Sequence, residues 1–214
     1  MDDHFFQIKL TQEQVEYARD LVQYSMDNHK VPNIWDIDES KKEKTFFYRF
    51  VGSLGEVAFA DAYGLPRHKK SFGASDGQDY GNDFILEIDG CSKVVDLKSM
   101  HRINDHFRGY YVLNIPEVQL NKANSQTELY YCISIHKDLS HYYASFLGYM
   151  RREDIISGKI GILYSPGTIR TRANDSTFKF ISGTYEIDFK DFIAPPIYET
   201  TPRMSGFKLI DIYK

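Results

Sequence analysis

The stretch 80–99 constrains the fold of this chain more than any other part of the sequence. At its centre lies Asp89-Gly90, a dipeptide typical of a two-residue hairpin turn, and apolar runs flank it on both sides. The pattern predicts a β-hairpin closed symmetrically about this turn. In that register Asp83 lies directly across from Asp96, on the same face of the sheet and with the two β-carbons ~5 Å apart.

Lys98 follows Asp96 by two residues and therefore points to the same face. Like charges placed opposite each other destabilise a pair of strands. A pair of carboxylates in this position is better explained as ligands of a hard divalent cation such as Mg²⁺, with the backbone carbonyl of Leu97 as a further ligand. Lys98 would then orient the attacking water or stabilise charge on a phosphate.

A helix that precedes the hairpin supplies one more carboxylate. Apolar residues recur at helical spacing over about 43–63, which predicts a helix that ends before Gly64. Gly52 and Gly55 each cost such a helix ~1 kcal/mol relative to alanine, so we expect a neighbouring backbone or a ligand to approach them closely. Glu56, beside them, would hold a second metal or a water of the first.

The remaining elements complete an α/β pattern with a mixed sheet. A capping box at Thr11–Gln14 predicts an earlier helix, and Pro116 is expected to begin a short helix that ends near Lys122. Strands are predicted over 110–115, 129–136, 143–150, 161–164, 177–181 and 185–189, and a short helix or turn over 151–157.

The residues Glu56, Asp83 and Asp96-Leu97-Lys98 give the chain its resemblance to a known group, the PD-(D/E)XK nucleases of the restriction-endonuclease-like superfamily. The resemblance implies a restriction-endonuclease-like core with a central mixed β-sheet flanked by helices, over about 45–136. A β-rich C-terminal extension, about 137–214, would carry target recognition within a single domain spanning 1–214.

The resemblance also implies a chemistry. Asp83 and Asp96 would be the metal ligands, Lys98 the catalytic lysine and Glu56 the accessory acid. The expected activity is Mg²⁺-dependent cleavage of double-stranded DNA that leaves 5′-phosphates, with Mn²⁺ as a substitute metal and a homodimer as the working form.

The sequence departs from the family pattern in two places. Asn82 stands where the motif has proline, and Asp96 stands where many members have glutamate, which the family permits. The Gln-x-x-x-Tyr motif of exonuclease-type members is not matched, because Ala123 takes the tyrosine position after Gln119.

Polar residues outside the motif are candidates for DNA contacts, since cationic and amide side chains bind phosphates and base edges. They are Lys69, Lys70, Arg102, Gln119, Lys122, Arg170 and Arg172.

The composition of the chain says more about the cellular compartment of the protein than about its binding partners. The net charge of −4 neither supports nor excludes nucleic acid, because a local basic face matters more than the total. Two cysteines are too few for a disulfide scaffold, no apolar run is long enough to span a membrane, and the acidic N-terminus is unlike a signal peptide. A cytoplasmic protein without membrane contact is expected.

Three functions remain open on the sequence. The leading hypothesis is a type II restriction-type endonuclease. A structure-selective repair, recombination or mobile-element nuclease would use the same residues on branched DNA. The third hypothesis is a catalytically silent nucleic-acid-binding module that uses a nuclease scaffold. Independently of these functions, Asp83, Asp96 and Lys98 could form only a solvated sheet face, where charged residues usually lie.

Overall fold

The computed structural model of the protein describes residues 4–28, 42–69, 83–102, 111–171, 175 and 177–211. The α-helices are α1 (Gln12–Asn28), α2 (Lys42–Tyr63), α3 (Glu117–Leu120) and α4 (Arg152–Ile156), and 3-10 turns span Phe189–Asp191 and Thr201–Arg203. The strands are β1 (His4–Lys9), β2 (Phe84–Ile88), β3 (Cys91–His101), β4 (Val112–Pro116), β5 (Leu129–Asp138), β6 (His141–Arg151), β7 (Ile162–Tyr164), β8 (Ile169–Thr171), β9 (Thr177–Lys179), β10 (Thr184–Asp188) and β11 (Lys208–Asp211).

A mixed six-stranded sheet with the order β11-β1-β6-β5-β3-β2 forms the centre of the fold. Its strands pair antiparallel except for β3 and β5, which run parallel. The mixed α/β architecture with a central mixed sheet is therefore confirmed. The sheet takes strands from the whole described chain, since β1, β6 and β11 lie outside 45–136.

The two faces of this sheet are covered differently. Helices α1 and α2 pack on one face, where apolar side chains such as Leu54 and Ala58 meet Ile8 and Ile133 in one core. On the other face a second core contains Ile115 of β4 and Ile187 of β10, two strands of a smaller three-stranded sheet. Both faces of the central strands are thus buried, as expected for a sheet between two layers.

The alternation of β3 decides which way the predicted site residues point. Val95 and Leu97 are buried in the core beneath the helices. Because neighbouring side chains in a strand point to opposite faces, Asp96 and Lys98 project from the other face of the sheet.

The hairpin forms in the predicted register. The ladder pairs Phe84 with Val95 and Ile88 with Cys91, and the two turn residues have φ of 53° at Asp89 and 74° at Gly90. Positive φ at both central residues is the type I′ geometry that favours Asp-Gly at this turn.

Helix α2 ends before Gly64, which has a φ of 65°, as its predicted role after the helix requires. Pro116 was predicted to begin the next helix, but it is the last residue of β4, and α3 ends at Leu120. The fixed φ of proline, near −65°, suits an extended residue as well as a first helical one, so the sequence alone did not separate the two.

Strands β1, β8 and β11 were not predicted. In β1 both Phe5 and Phe6 are buried, one on each face of the sheet, so the strand lacks the alternation of apolar and polar residues that identifies a half-buried strand. Among the described helices none is long and apolar enough to cross a membrane.

Candidate functional site

Asp83 lies directly before β2, where the hairpin ladder ends. Its backbone amide donates to the carbonyl of Val95 at 3.1 Å, and its carboxylate Oδ2 accepts a hydrogen bond from the backbone amide of Leu97 at 2.7 Å. The side chain of Asp83 is therefore tied to the middle of β3. This is the neighbourhood that the hairpin register predicted for it.

Asp96 and Lys98 lie on the same face of β3, as predicted from their spacing. Lys98 Nζ is 2.6 Å from Asp96 Oδ1, and the two side chains are only 21% and 14% exposed. The ammonium group also lies 5.6 Å from the centre of the Tyr130 ring. Lys98 is thus held in a half-buried position next to a carboxylate, and it is not extended into solvent.

Close packing of α2 on β3 brings Glu56 to the hairpin. A β-carbon added at Gly55 would lie 2.9 Å from Cβ of Ser99 and would overlap its hydroxyl. Gly55 therefore permits the close approach that the sequence predicted. At Gly52 the same β-carbon would meet no described atom within 4 Å, so that glycine is not explained by packing.

His68 completes the connection between the helix and the hairpin. Its Nε2 lies 2.8 Å from the carbonyl oxygen of Asp83, and its Nδ1 lies 3.4 Å from Oε2 of Glu56. The carbonyl can only accept, so Nε2–H donates to it. The ring also stacks on Phe84, with centroids 4.8 Å apart, and the Tyr17 hydroxyl donates to the His68 carbonyl at 2.7 Å.

The contacts of His68 favour its doubly protonated form. Its hydrogen bond to Glu56, followed by the charge of Glu56 and the carbonyl of Asp83, raises the pKa of His68 to about 9 against the opposing effect of burial. Sequence analysis missed this residue, since it lies in a basic run, Arg67 to Lys70, that suggested phosphate contacts instead. The signal that would have identified it is long-range, namely the return of the chain after α2 to the start of β2.

Asp83 has a perturbed pKa in this site. Burial, together with the negative charges of Glu56 and Asp96, raises the pKa of Asp83 to about 7, while the Leu97 amide and Lys98 oppose this effect. Glu56 of α2 and Asp96 of β3 therefore both act on the carboxyl group of Asp83. Such a perturbed acid surrounded by named charges is typical of functional sites.

The donor types suit a hard cation such as Mg²⁺, which prefers carboxylate and carbonyl oxygens. The amide and carbonyl of one strand residue point to the same edge, so the carbonyl of Leu97 faces the side on which its amide binds Asp83. Here protein donors hold the carboxylates: the Leu97 amide at Asp83, Lys98 at Asp96 and His68 at Glu56. Within the described ranges no group of three or more His, Cys, Asp or Glu side chains is arranged to hold a metal ion.

Two of the predicted DNA contacts are engaged within the protein. The guanidinium of Arg102 stacks over the Tyr111 ring at 4.3 Å and donates to the Val112 carbonyl at 3.2 Å, which ties the end of β3 to β4. Arg170 donates to the buried carboxylate of Glu186 at 2.9 Å.

The others lie at the surface or outside the described chain. Lys69 and Gln119 are exposed and Lys122 is half-buried, while Lys70 and Arg172 lie outside the described residues. The segment with Gln119 and Lys122 is held to α4 through Arg152, whose guanidinium donates to the Leu120 carbonyl.

Comparisons of the chain with protein-family models, with curated proteins and with solved structures find no match in any of the three. The resemblance to PD-(D/E)XK nucleases therefore depends on the residues and on the geometry that joins them. Membership in that superfamily, the metal and the reaction remain predictions.

Proposed function

We propose that this protein is a Mg²⁺-dependent endodeoxyribonuclease with a restriction-endonuclease-like core, acting on double-stranded DNA as a type II restriction-type enzyme and working as a homodimer. One observation carries the proposal. His68 contacts both Glu56 and Asp83, and the amide of Leu97, between Asp96 and Lys98, binds the Asp83 carboxylate. The ion pair of His68 with Glu56 and the hydrogen bonds at Asp83 connect the acid of α2 to Asp83, and Asp83 to the part of β3 that carries Asp96 and Lys98.

Hydrolysis of a phosphodiester requires few chemical groups. A water oxygen attacks phosphorus in line with the leaving O3′, the P–O3′ bond breaks, and the products are a 5′-phosphate and a 3′-hydroxyl. The water loses a proton and O3′ gains one. Lys98, held beside Asp96, is placed to orient the water and to stabilise the negative charge that grows on the phosphate oxygens.

The metal would be held by Asp83, Asp96 and the Leu97 carbonyl, with Glu56 bound directly or through a water. Bound Mg²⁺, or Mn²⁺ in its place, supplies a Lewis acid that lowers the pKa of water and neutralises phosphate charge. Asp83 must lose its proton to act as a ligand. With its pKa raised to about 7, it does so near neutral pH.

A second candidate function is a metal-independent nucleic-acid-binding module. It is favoured by the ion pair between Asp96 and Lys98 and by the hydrogen bond from the Leu97 amide to Asp83, which satisfy these groups without a metal. Under this alternative the cluster only fastens α2 to the hairpin. DNA then stays uncut with or without divalent metal, and replacing Lys98 has no effect on it.

The test is incubation of the purified chain with supercoiled plasmid in Mg²⁺ and in EDTA. The nuclease proposal predicts nicked and linear DNA in Mg²⁺ alone, with 5′-phosphate ends that DNA ligase can rejoin. Faster cleavage of four-way junctions of unrelated sequence than of linear duplex would favour a structure-selective enzyme. Intact plasmid under all metal conditions, with folded protein, would favour the binding module.

A further inference from the structure

A cleft of about 430 Å³ lies where β1 ends, α1 begins and the β5–β6 turn approaches them. It is lined by Lys9, Arg19, Lys137 and His141, which we call the basic cleft, together with polar residues such as Ser140. Among the residues that the structure describes, no aspartate or glutamate lines it. The cleft lies outside the cluster around Asp83, and the function proposed above does not use it.

Lys9, Arg19 and Lys137 supply the positive charge of the basic cleft. Within the described part of the chain none of these three side chains forms an ion pair. Instead the guanidinium of Arg19 lies 5.6 Å from the centre of the Phe50 ring, and Lys137 Nζ lies 5.3 Å from that of Tyr142. The aromatic rings hold these side chains in place and leave their donors available to an anion.

The start of α1 adds to the positive potential. Its capping box is formed, since Gln14 Oε1 accepts from the Thr11 amide at 2.8 Å and Thr11 Oγ1 accepts from the Gln14 amide at 3.3 Å. Thr11 and Gln12 both line the basic cleft, so the positive end of this helix dipole faces the same space as the cations. A concave site with several cations and a helix N-terminus is suited to phosphate oxygens.

The position of the basic cleft relates it to the candidate nuclease site. Phe50 contacts both Arg19 and Tyr142 of the cleft, and it precedes Glu56 by six residues on α2, or about 9 Å along the helix axis. Gly52 lies one turn before Glu56 on the same helix face, and no described atom would meet a β-carbon there. Lys98 pairs with Cys132 in the β3–β5 ladder, and Lys137 of the basic cleft lies five residues further along β5, or about 17 Å. Consecutive phosphates of one DNA strand advance about 3.4 Å along the duplex axis, so about five nucleotides span this interval.

We propose that the basic cleft binds backbone phosphates of the same duplex that reaches the site around Asp83 and Lys98. The choice of duplex DNA as the ligand rests on the proposed function, whereas the affinity of the basic cleft for phosphate groups does not. Lysine and arginine on exposed, long side chains neutralise phosphates without reading bases. The contact is therefore independent of sequence and sensitive to salt.

The test measures binding of a fluorescent 20-base-pair duplex by anisotropy in EDTA, so that no cleavage occurs. The double variant Arg19→Gln/Lys137→Gln should bind at least roughly tenfold more weakly at 0.1 M salt. Its slope of log K against log salt should be shallower by about 1 to 2, since each lost phosphate contact removes about 0.9.

A matched double variant, Lys159→Gln/Lys190→Gln, removes the same charge from exposed positions that do not line the cleft and should bind as the unmodified chain does. Arg19→Lys keeps the charge and should retain the salt slope. The variants sit at the surface, and melting curves verify that they fold. An unchanged slope in the cleft variant, or an equal loss in the control pair, overturns the proposal. So does displacement of the duplex by 10 mM inorganic phosphate at constant ionic strength, which would indicate a small-anion site.

The outcomes separate this inference from the proposed nuclease activity. If plasmid stays intact in Mg²⁺ while the cleft variant loses duplex binding, the nuclease proposal fails and the basic cleft stands. If plasmid is cut by the unmodified chain and equally by the cleft variant with unchanged binding, the nuclease stands and the cleft does not. A folded chain that binds no duplex refutes both.

Discussion

Replacing Asp83 by asparagine should change how stability depends on pH. The pKa of Asp83 is raised from 3.8 to about 7, chiefly by burial and by the charges of Glu56 and Asp96. Between these pH values the native protein keeps a proton that the unfolded chain has released, so the free energy of unfolding falls as pH rises. Each such pH unit is worth about 1.4 kcal/mol, which gives about 4 kcal/mol over the whole window and about 3 kcal/mol between pH 5 and pH 8.

Asp83→Asn keeps the shape of the side chain and an oxygen that can accept from the Leu97 amide, but it removes the ionisation. The variant should therefore lack this part of the pH dependence and should be more stable than the unmodified chain at pH 8. His68 also loses stabilisation as pH rises from its ordinary pKa of 6.5 through about 9. That contribution acts in both proteins and largely cancels in the difference between them.

Urea unfolding in EDTA, followed by far-ultraviolet circular dichroism at pH 5 and pH 8, measures the effect. Asp138→Asn, at the exposed β5–β6 turn, is the control and should follow the unmodified chain. Mg²⁺ should raise the stability of the unmodified chain at pH 8 and have a smaller effect on Asp83→Asn, because binding to the native state alone is stabilising. If Asp83→Asn and the unmodified chain lose equal stability between the two pH values, the raised pKa of Asp83 is refuted.

Two further predictions concern packing and thiol chemistry. Gly55→Ala should lower the melting temperature and reduce cleavage, because overpacking against Ser99 costs ~1–3 kcal/mol and outweighs the helix propensity gained. Gly52→Ala should raise the melting temperature, because its β-carbon meets no described atom. The reverse order of the two melting temperatures in a thermal scan would contradict the packing of α2 on β3. Cys91 is exposed and should react with a thiol reagent within minutes. Cys132 is buried, its pKa is raised to about 12, and it should react only when the protein unfolds. Rapid reaction of both thiols in the native protein would contradict this prediction.

Local patterns were sufficient for the hairpin and for α2. The Asp89-Gly90 turn fixes the register of its own two strands, because opposing residues follow from the turn alone. The ladder ends at Phe84 and Val95, one pair short of the predicted Asp83–Asp96 pair, and the Asp83 carboxylate binds the amide of Leu97, next to Asp96. Lys98 lies 2.6 Å from Asp96, on the face that its spacing predicted. Both inferences require only contacts between residues close in sequence.

Long-range packing was beyond the same reasoning. His68 joins Glu56 to Asp83 only because the chain returns across the end of α2, and no local pattern encodes that return. Lys9 and Lys137 line the same basic cleft only because β1 and β5 both pair with β6 in the sheet. The roles of His68 and of the cleft lysines depend on contacts between different elements, so they can be assigned only when the topology of the fold is known.

The central claim is that Lys98 and the acids around it cut DNA with the help of a metal. The most direct measurement is the initial rate of plasmid cleavage in Mg²⁺ for the unmodified chain, Lys98→Ala and Lys93→Ala. Lys93 lies on the same strand, and its ion pair with Glu128 at 2.8 Å is exposed, so it serves as the matched control. The account predicts that Lys98→Ala lowers the rate by about 100-fold or more, the size of a lost general acid–base or charge-stabilising group, while Lys93→Ala cuts at the unmodified rate. Cleavage by Lys98→Ala at the unmodified rate, or no Mg²⁺-dependent cleavage by any of the three folded proteins, would contradict it.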